Sequence, residues 1–337
     1  MQLRHFFTII FFLFSLQQSI GQNVFPFFKE KSILPENLLK TRTVVFMNVN
    51  NLKWEDEAKI LHKKLRVVGI DAVAYYALAD ILSGHDATNA FYNDISSRSI
   101  SSMVIINKND VGQYTAYIGD FADGGSFFEP GMEVYQISAD DLEKLGALLV
   151  MKVDQAKLER ENFLIIDIPE IFKRTNVIKT RRVADYNPDL RIDKLAVPRF
   201  EGGVMVSQNI DSLNASLDSI MAKNYPFRYG LVDSDITDDE MISQGYLMVL
   251  RKLENNIESL KRMLGYEIIE DETVHISIKK GDPDQLKKIF AKQNGHKYYV
   301  QQLYTKDIYL GNEWDADTTW EEALRNHIAN LKVDQKR

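Results

Sequence analysis

The sequence predicts an α/β protein of two similar alternating α/β units, a possible internal duplication, joined by a β-rich segment. Three observations predict it. Short β-branched, apolar runs alternate with longer stretches whose apolar residues recur every three or four positions, the pattern of strands covered by helices. The order strand, amphipathic helix ending in Gly, strand, helix, strand, strand, helix describes both residues 42–158 and 227–331. The 316 residues left after a 21-residue leader also exceed the usual size of one core.

Residues 1–21 read as a secretory signal peptide. Arg4 and His5 form a short n-region, residues 6–16 (FFTIIFFLFSL) an apolar h-region and residues 17–21 a polar exit. Ser19 and Gly21 supply the small side chains that signal peptidase requires, so cleavage is predicted before Gln22. The apolar run is too short for the ~20 residues of a membrane-spanning helix, and no later run approaches that length. The expected address is the periplasm or the exterior of a bacterial cell. The chain contains no cysteine, which excludes a disulfide scaffold and the lipid anchor of a lipoprotein. Its formal charge of -7 becomes -8 when Arg4 leaves with the leader, which argues against nucleic acid or anionic lipid as the main partner. The one basic cluster, Lys173, Arg174, Lys179, Arg181 and Arg182, reads as a solvated strand face.

Residues 22–40, with three phenylalanines and two prolines, read as an arm packed on the first unit (41–160). In that unit residues 42–49 (RTVVFMNV) form a buried strand. Residues 54–68 place Ala58, Leu61, Leu65 and Val68 on one helical face, closed by Gly69. Strands follow at 71–76, 101–107, 114–119 and 133–137, with a helix at 88–96. Ser138 to Asp141 cap a helix running to residue 158. The connection, 161–210, carries alternating segments such as 176–185 (NVIKTRRVAD) and prolines at 169, 188 and 198, and reads as strands without crossover helices. In the second unit (211–337) a helix is predicted at 213–223, a strand at 227–232 and a long helix at 237–264 closed by Gly265. A strand at 273–278, a helix at 284–292 behind Pro283, strands at 298–304 and 307–310, and a final helix at 319–331 complete it.

The sharpest motif is Asp233-Ser234-Asp235-Ile236-Thr237, directly after the apolar strand FRYGLV. Strand followed by D-x-D-x-T resembles the first motif of haloacid-dehalogenase-type phosphotransferases. The resemblance implies Asp233 as nucleophile, Asp235 as general acid, both at the carboxyl end of a strand, and a magnesium ion to neutralise the phosphate. Asp315-Ala316-Asp317-Thr318-Thr319 repeats the spacing, and both threonines precede a glutamate by three residues (Glu240 and Glu322). Two helices opening on one signature make helix capping the preferred reading of both.

A second candidate is the polar loop 120–126, in which Asp120 and Asp123 follow strand YTAYIG and are assigned as ligand-binding residues. The loops at Gly84-His85-Asp86 and Glu201-Gly202-Gly203 are of the same kind, and all three also read as plain turns. His62, His85, His275, His296 and His327 lack metal-ligand spacing, so no metal site is assigned; His275 reads as a packed, hydrogen-bonded strand residue. The late aromatics Tyr298, Tyr299, Tyr304, Tyr309, Trp314 and Trp320 read as core and cross-strand pairs. No P-loop, G-x-S-x-G or G-x-G-x-x-G is present.

The function expected is that of a non-enzymatic, exported, soluble protein of the bacterial envelope. It would bind a small ligand or an envelope protein in a groove between the two units, without a cofactor. The alternative is a metal-dependent phosphoesterase-like hydrolase using Asp233, Asp235 and Mg2+. The sequence leaves the oligomeric state open.

Overall fold

The structure, a computed structural model, describes residues 24–49, 54–121, 127–129, 131–172, 178–200, 209–269 and 272–335. The leader and its cleavage point, Asp123, Lys173 and Arg174 of the basic cluster, and the loop at Glu201-Gly202-Gly203 lie outside the described residues. The chain is an α/β protein with mixed sheets.

The first unit is built on β2 (Arg42–Asn48), α1 (Trp54–Val68), β3 (Asp71–Ala77), α2 (Leu78–Ile81), α3 (His85–Ser97), β4 (Ile100–Lys108), β5 (Tyr114–Asp120), β6 (Glu133–Ala139) and α4 (Leu142–Ala156), with β1 (Lys29–Lys31) and β7 (Glu170–Phe172) at the edges. Its sheet runs β1-β6-β5-β4-β2-β3-β7. The β4–β2–β3–β7 half is parallel, β5 is antiparallel to both neighbours, and β1 runs parallel to β6. A central strand in such a sheet is buried on both sides, which is why β2 is nearly all apolar. Val45 and Met47 face Leu61, Leu65, Leu145 and Leu149 of α1 and α4. Val44 and Phe46 face Phe91, Ile95 and Phe127. Asp141 caps α4 by accepting the Lys144 N–H at 2.7 Å. In the arm, Phe25 and Phe28 lie 5.0 and 5.4 Å from the Tyr117 ring.

The second unit comprises β8 (Arg182–Val183), β9 (Leu195–Pro198), α5 (Ile210–Asn224), β10 (Tyr229–Val232), α6 (Asp238–Ser243), β11 (Met248–Asn256), α7 (Ile257–Met263), β12 (Val274–Lys279), β13 (Gln285–Phe290), β14 (Asn294–Gln302), β15 (Ile308–Tyr309) and α8 (Trp320–Asp334). Its sheet runs β10-β9-β11-β14-β15-β8, with β12 and β13 as a separate hairpin. Strand order and direction match the first sheet from β3 to β1: two parallel pairings, two antiparallel ones, and a parallel edge strand. The matching helices α5 and α8 also pack on one face, around Leu217, Met221, Leu324 and Ile328.

Three expectations change. The counterpart of β2 is β9, so the correspondence begins at residue 195 rather than 227, and the 161–210 segment supplies strands to both sheets. The long helix at 237–264 is instead α6, β11 and α7. Gly245, at φ +83°, ends α6. Successive residues of β11 then face opposite sides of the sheet, so Leu250 joins the α5/α8 core while Leu253 joins the opposite one. The helix at 284–292 is the strand β13, whose Ile289 is buried while Leu286 and Phe290 point outward.

The two units meet at the α2–α3 corner, which sits on β11 and β14. Asn255 Nδ2 donates to Asp80 Oδ1 at 2.9 Å and to Ser83 Oγ at 2.8 Å, and the Glu254 N–H donates to Ser83 O at 2.7 Å. Ala87 shares an apolar cluster with Leu253 and Tyr299. Gly84 has φ +149°, and a Cβ there would stand 2.4 Å from Lys252 O. At this corner the expected groove between units is filled by packed backbone.

Candidate functional site

The sheet edge of the first unit carries an open cleft of about 510 Å3, within the range of small-molecule sites. Its floor is Leu34, Ile118, Met132 and Tyr135; its rim is Lys31, Glu36, Asp120, Glu129 and Glu133. The arm forms one wall because Lys29 N–H donates to Met132 O at 2.9 Å, registering β1 on β6, and the chain then turns at Pro35–Asn37. Asp120, half-buried at the end of β5, is positioned from the neighbouring strand: the buried Ser102 hydroxyl donates to its Oδ1 at 2.7 Å, and Thr41 Oγ1 lies 2.8 Å from Ser102 Oγ. Lys31 pairs with Glu133 at 3.3 Å. Burial raises the pKa of the Tyr135 hydroxyl, which keeps it a neutral donor. Four carboxylates against one ammonium, over an apolar floor, can hold an organic cation by charge and by contact with its carbon skeleton.

Asp233 and Asp235 are exposed beyond β10, and Asp233 pairs with Arg199 at 3.5 Å. Thr237 caps α6 in a full capping box: it accepts the Glu240 N–H at 3.2 Å, and Glu240 accepts the Thr237 N–H at 2.8 Å. In the repeat, Thr319 caps α8 by accepting the Glu322 N–H at 3.3 Å, but the Glu322 carboxylate turns to Arg325 at 2.5 Å. Asp317 takes the Thr318 N–H at 2.7 Å and Lys287 at 2.5 Å. Asp315 is buried against Lys297, at 2.6 Å. His275 is fully buried, 3.0 Å from both Glu272 and Lys261. It shares no partner with Asp233 or Asp235 among the described residues. Among them, too, no three His, Asp or Glu side chains are placed to hold a metal ion.

Two polar clusters escape sequence reasoning. One is the junction, where Asp86 of the Gly84-His85-Asp86 segment accepts from Tyr299 Oη at 2.6 Å and pairs with Arg251 at 3.3 Å. Burial alone would raise the Asp86 pKa; the His85 hydrogen bond and the Arg251 charge outweigh it and hold the group below the usual carboxylate range. The other lies on the opposite face of β11 and β14, where Lys252 faces Tyr298 and Glu254 faces His296 across the ladder. His296 Nδ1 is 3.4 Å from Glu254 Oε2, close enough to pair but outside hydrogen-bond geometry. Burial raises the Glu254 pKa and, with the Lys252 charge, lowers that of His296 to about 3, so both are driven toward their neutral forms. The signal for both clusters was polar residues inside apolar strand runs, but their partners are remote in sequence. Comparison with known protein families and with characterised proteins returns no match for this chain.

Proposed function

We propose that this chain is an exported, non-enzymatic ligand-binding protein of the bacterial envelope, and that it holds a small organic cation in the cleft beside Asp120. The leader at residues 1–21 supports export. The excess of carboxylates around an apolar floor carries the choice of ligand. This moves the binding place from between the units, where α2 and α3 pack on β11, to the edge of the first sheet. The shared strand order of the two sheets supports descent from one duplicated segment.

The test is calorimetric titration of the mature chain with putrescine, agmatine and arginine, with acetate and glucose as controls. Binding of an amine that weakens with added salt and falls about tenfold in Asp120→Asn is expected, because the amide keeps the Ser102 contact but removes the charge. Absence of amine binding, or binding indifferent to Asp120→Asn, refutes the reading. Magnesium-dependent hydrolysis of a phosphate ester, lost in Asp233→Asn, would replace it with the phosphoesterase alternative.

A further inference from the structure

The first unit joins β4 to β5 by a tight turn at residues 109–113, whereas the second inserts α7 and the β12–β13 hairpin at the equivalent point, between β11 and β14. The hairpin is two-faced. Its inner face, with His275, Ser277 and Ile289, is buried. Its outer face sets Ile276 opposite Lys288, Ile278 opposite Leu286 and Val274 opposite Phe290. Ile276, Leu286 and Phe290 are 50%, 68% and 66% exposed, more apolar surface than a hairpin needs to expose.

Two further observations bear on what covers it. On the β12 side the hairpin is tied down, since Ile278 N–H donates to Trp314 O at 2.7 Å and Asn330 Nδ2 donates to Ile278 O at 2.9 Å. Along the other side, β13 has no second strand among the described residues. The charge is also one-sided. Lys280 and Lys287 are neutralised by Asp284, Glu313 and Asp317, but Lys279, Lys288 and Lys292 make no ion pair among the described residues.

We infer that this face is a docking site for an extended acidic segment of another protein, which adds to β13 as a third strand. An open edge presents a row of backbone donors and acceptors that a strand satisfies and a lipid interior does not. A second copy fits poorly, because opposed residues of an antiparallel pair share a face, so two β13 strands paired about their centre set Lys287 against Lys287 or Lys288 against Lys288. A segment that sets an acidic residue against Lys288, and apolar residues two positions to either side against Leu286 and Phe290, answers both the apolar row and its unpaired lysine on the outer face.

The experiment uses the mature chain and capped eight-residue peptides: one with Val-Thr-Glu-Thr-Val at its centre, one with the same residues scrambled, and one with Lys in place of the Glu. Expected is selective binding of the Val-Thr-Glu-Thr-Val peptide, with slowed hydrogen exchange at residues 285–290. Lys288→Glu, and separately Leu286→Ser with Phe290→Ser, should each weaken it about tenfold. The substituted side chains are exposed, so an unchanged thermal midpoint verifies the fold of each variant. No binding at ~1 mM peptide, equal binding of the scrambled or Lys-bearing peptide, or indifference to both variants overturns the inference. So does binding to phosphatidylglycerol vesicles in place of the peptide, or a concentration-dependent dimer dissolved by the same variants.

Discussion

Replacing Lys297 by Met should destabilise the second unit by about 3–5 kcal/mol at neutral pH, because it strands a buried carboxylate. Lys297 is fully buried and Asp315 is 1% exposed. The ammonium donates to the carbonyls of Tyr298 and Leu310, both at 2.9 Å, and stands 2.6 Å from Asp315 Oδ1 as a close ion contact outside hydrogen-bond geometry. Without it, Asp315 keeps Asn330 Nδ2 at 3.3 Å and His327 at 3.5 Å. In the native chain burial would raise the Asp315 pKa, but the Lys297 charge and His327 outweigh it and hold it low. Its stabilisation is therefore full above the unfolded value of about 3.9 and is lost as pH falls through the lower folded value. In Lys297→Met burial prevails and the folded pKa rises. The variant's deficit is then largest at neutral pH and shrinks once acid protonates the group. Denaturant titrations at pH 7 and pH 3 read this directly, and the midpoint on heating should fall by about 10 °C at pH 7. The double variant Lys297→Met/Asp315→Leu should recover about 2 kcal/mol or more, since two apolar side chains replace the pair. A loss under about 1 kcal/mol at pH 7, or an equal loss at both pH values, would refute the argument.

Other substitutions probe the junction, the cap and the second buried cluster. Gly84→Ala, which meets Lys252 O under strained φ, should cost about 2–4 kcal/mol and split a single calorimetric transition into two as the units uncouple. Thr237→Ala should cost about 1 kcal/mol in chemical denaturation, the loss of one capping box. His296 is held neutral to about pH 3, below its unfolded value of 6.5, so the unfolded state binds its proton first and stability falls as pH drops through that window. His296→Gln should flatten that fall, by at most about 1.4 kcal/mol per pH unit, in denaturation curves taken between pH 7 and pH 4.

The first unit was legible because each of its signals is local. β2 and β3 are near-continuous apolar runs, α1 keeps one apolar stripe, and Asp141 caps α4 within three residues of its donor. In the second unit Leu250, Leu253, Ile257, Leu260 and Leu264 fall at helical spacing although the first two lie on a strand. A strand buried on both faces removes the apolar–polar alternation that would distinguish it, and only Gly245 marked the break. β13 misled for the opposite reason. Its Leu286, Ile289 and Phe290 mimic one helical stripe, yet only Ile289 is buried, and its exposed apolar residues reflect a surface that local periodicity does not encode.

The candidate site shows the same division between local and remote causes. Asp120 could be picked out as a carboxylate at a strand end, but the cleft around it is assembled from the arm, from Glu129, Gly131 and Met132, and from β6, joined only by sheet register. The two D-x-D-x-T segments make the point more sharply, since sequence gives them one meaning and structure gives their first aspartates two. Both threonines cap helices, a role decided within four residues. Asp233 leaves β10, an edge strand of its sheet, and emerges into solvent beside Arg199. Asp315 instead follows β15 and meets Lys297 on β14, so it is buried as half of an ion pair. What separates an exposed aspartate from a buried one here is the position of the preceding strand in the sheet, a property of the whole topology that no five-residue motif can carry.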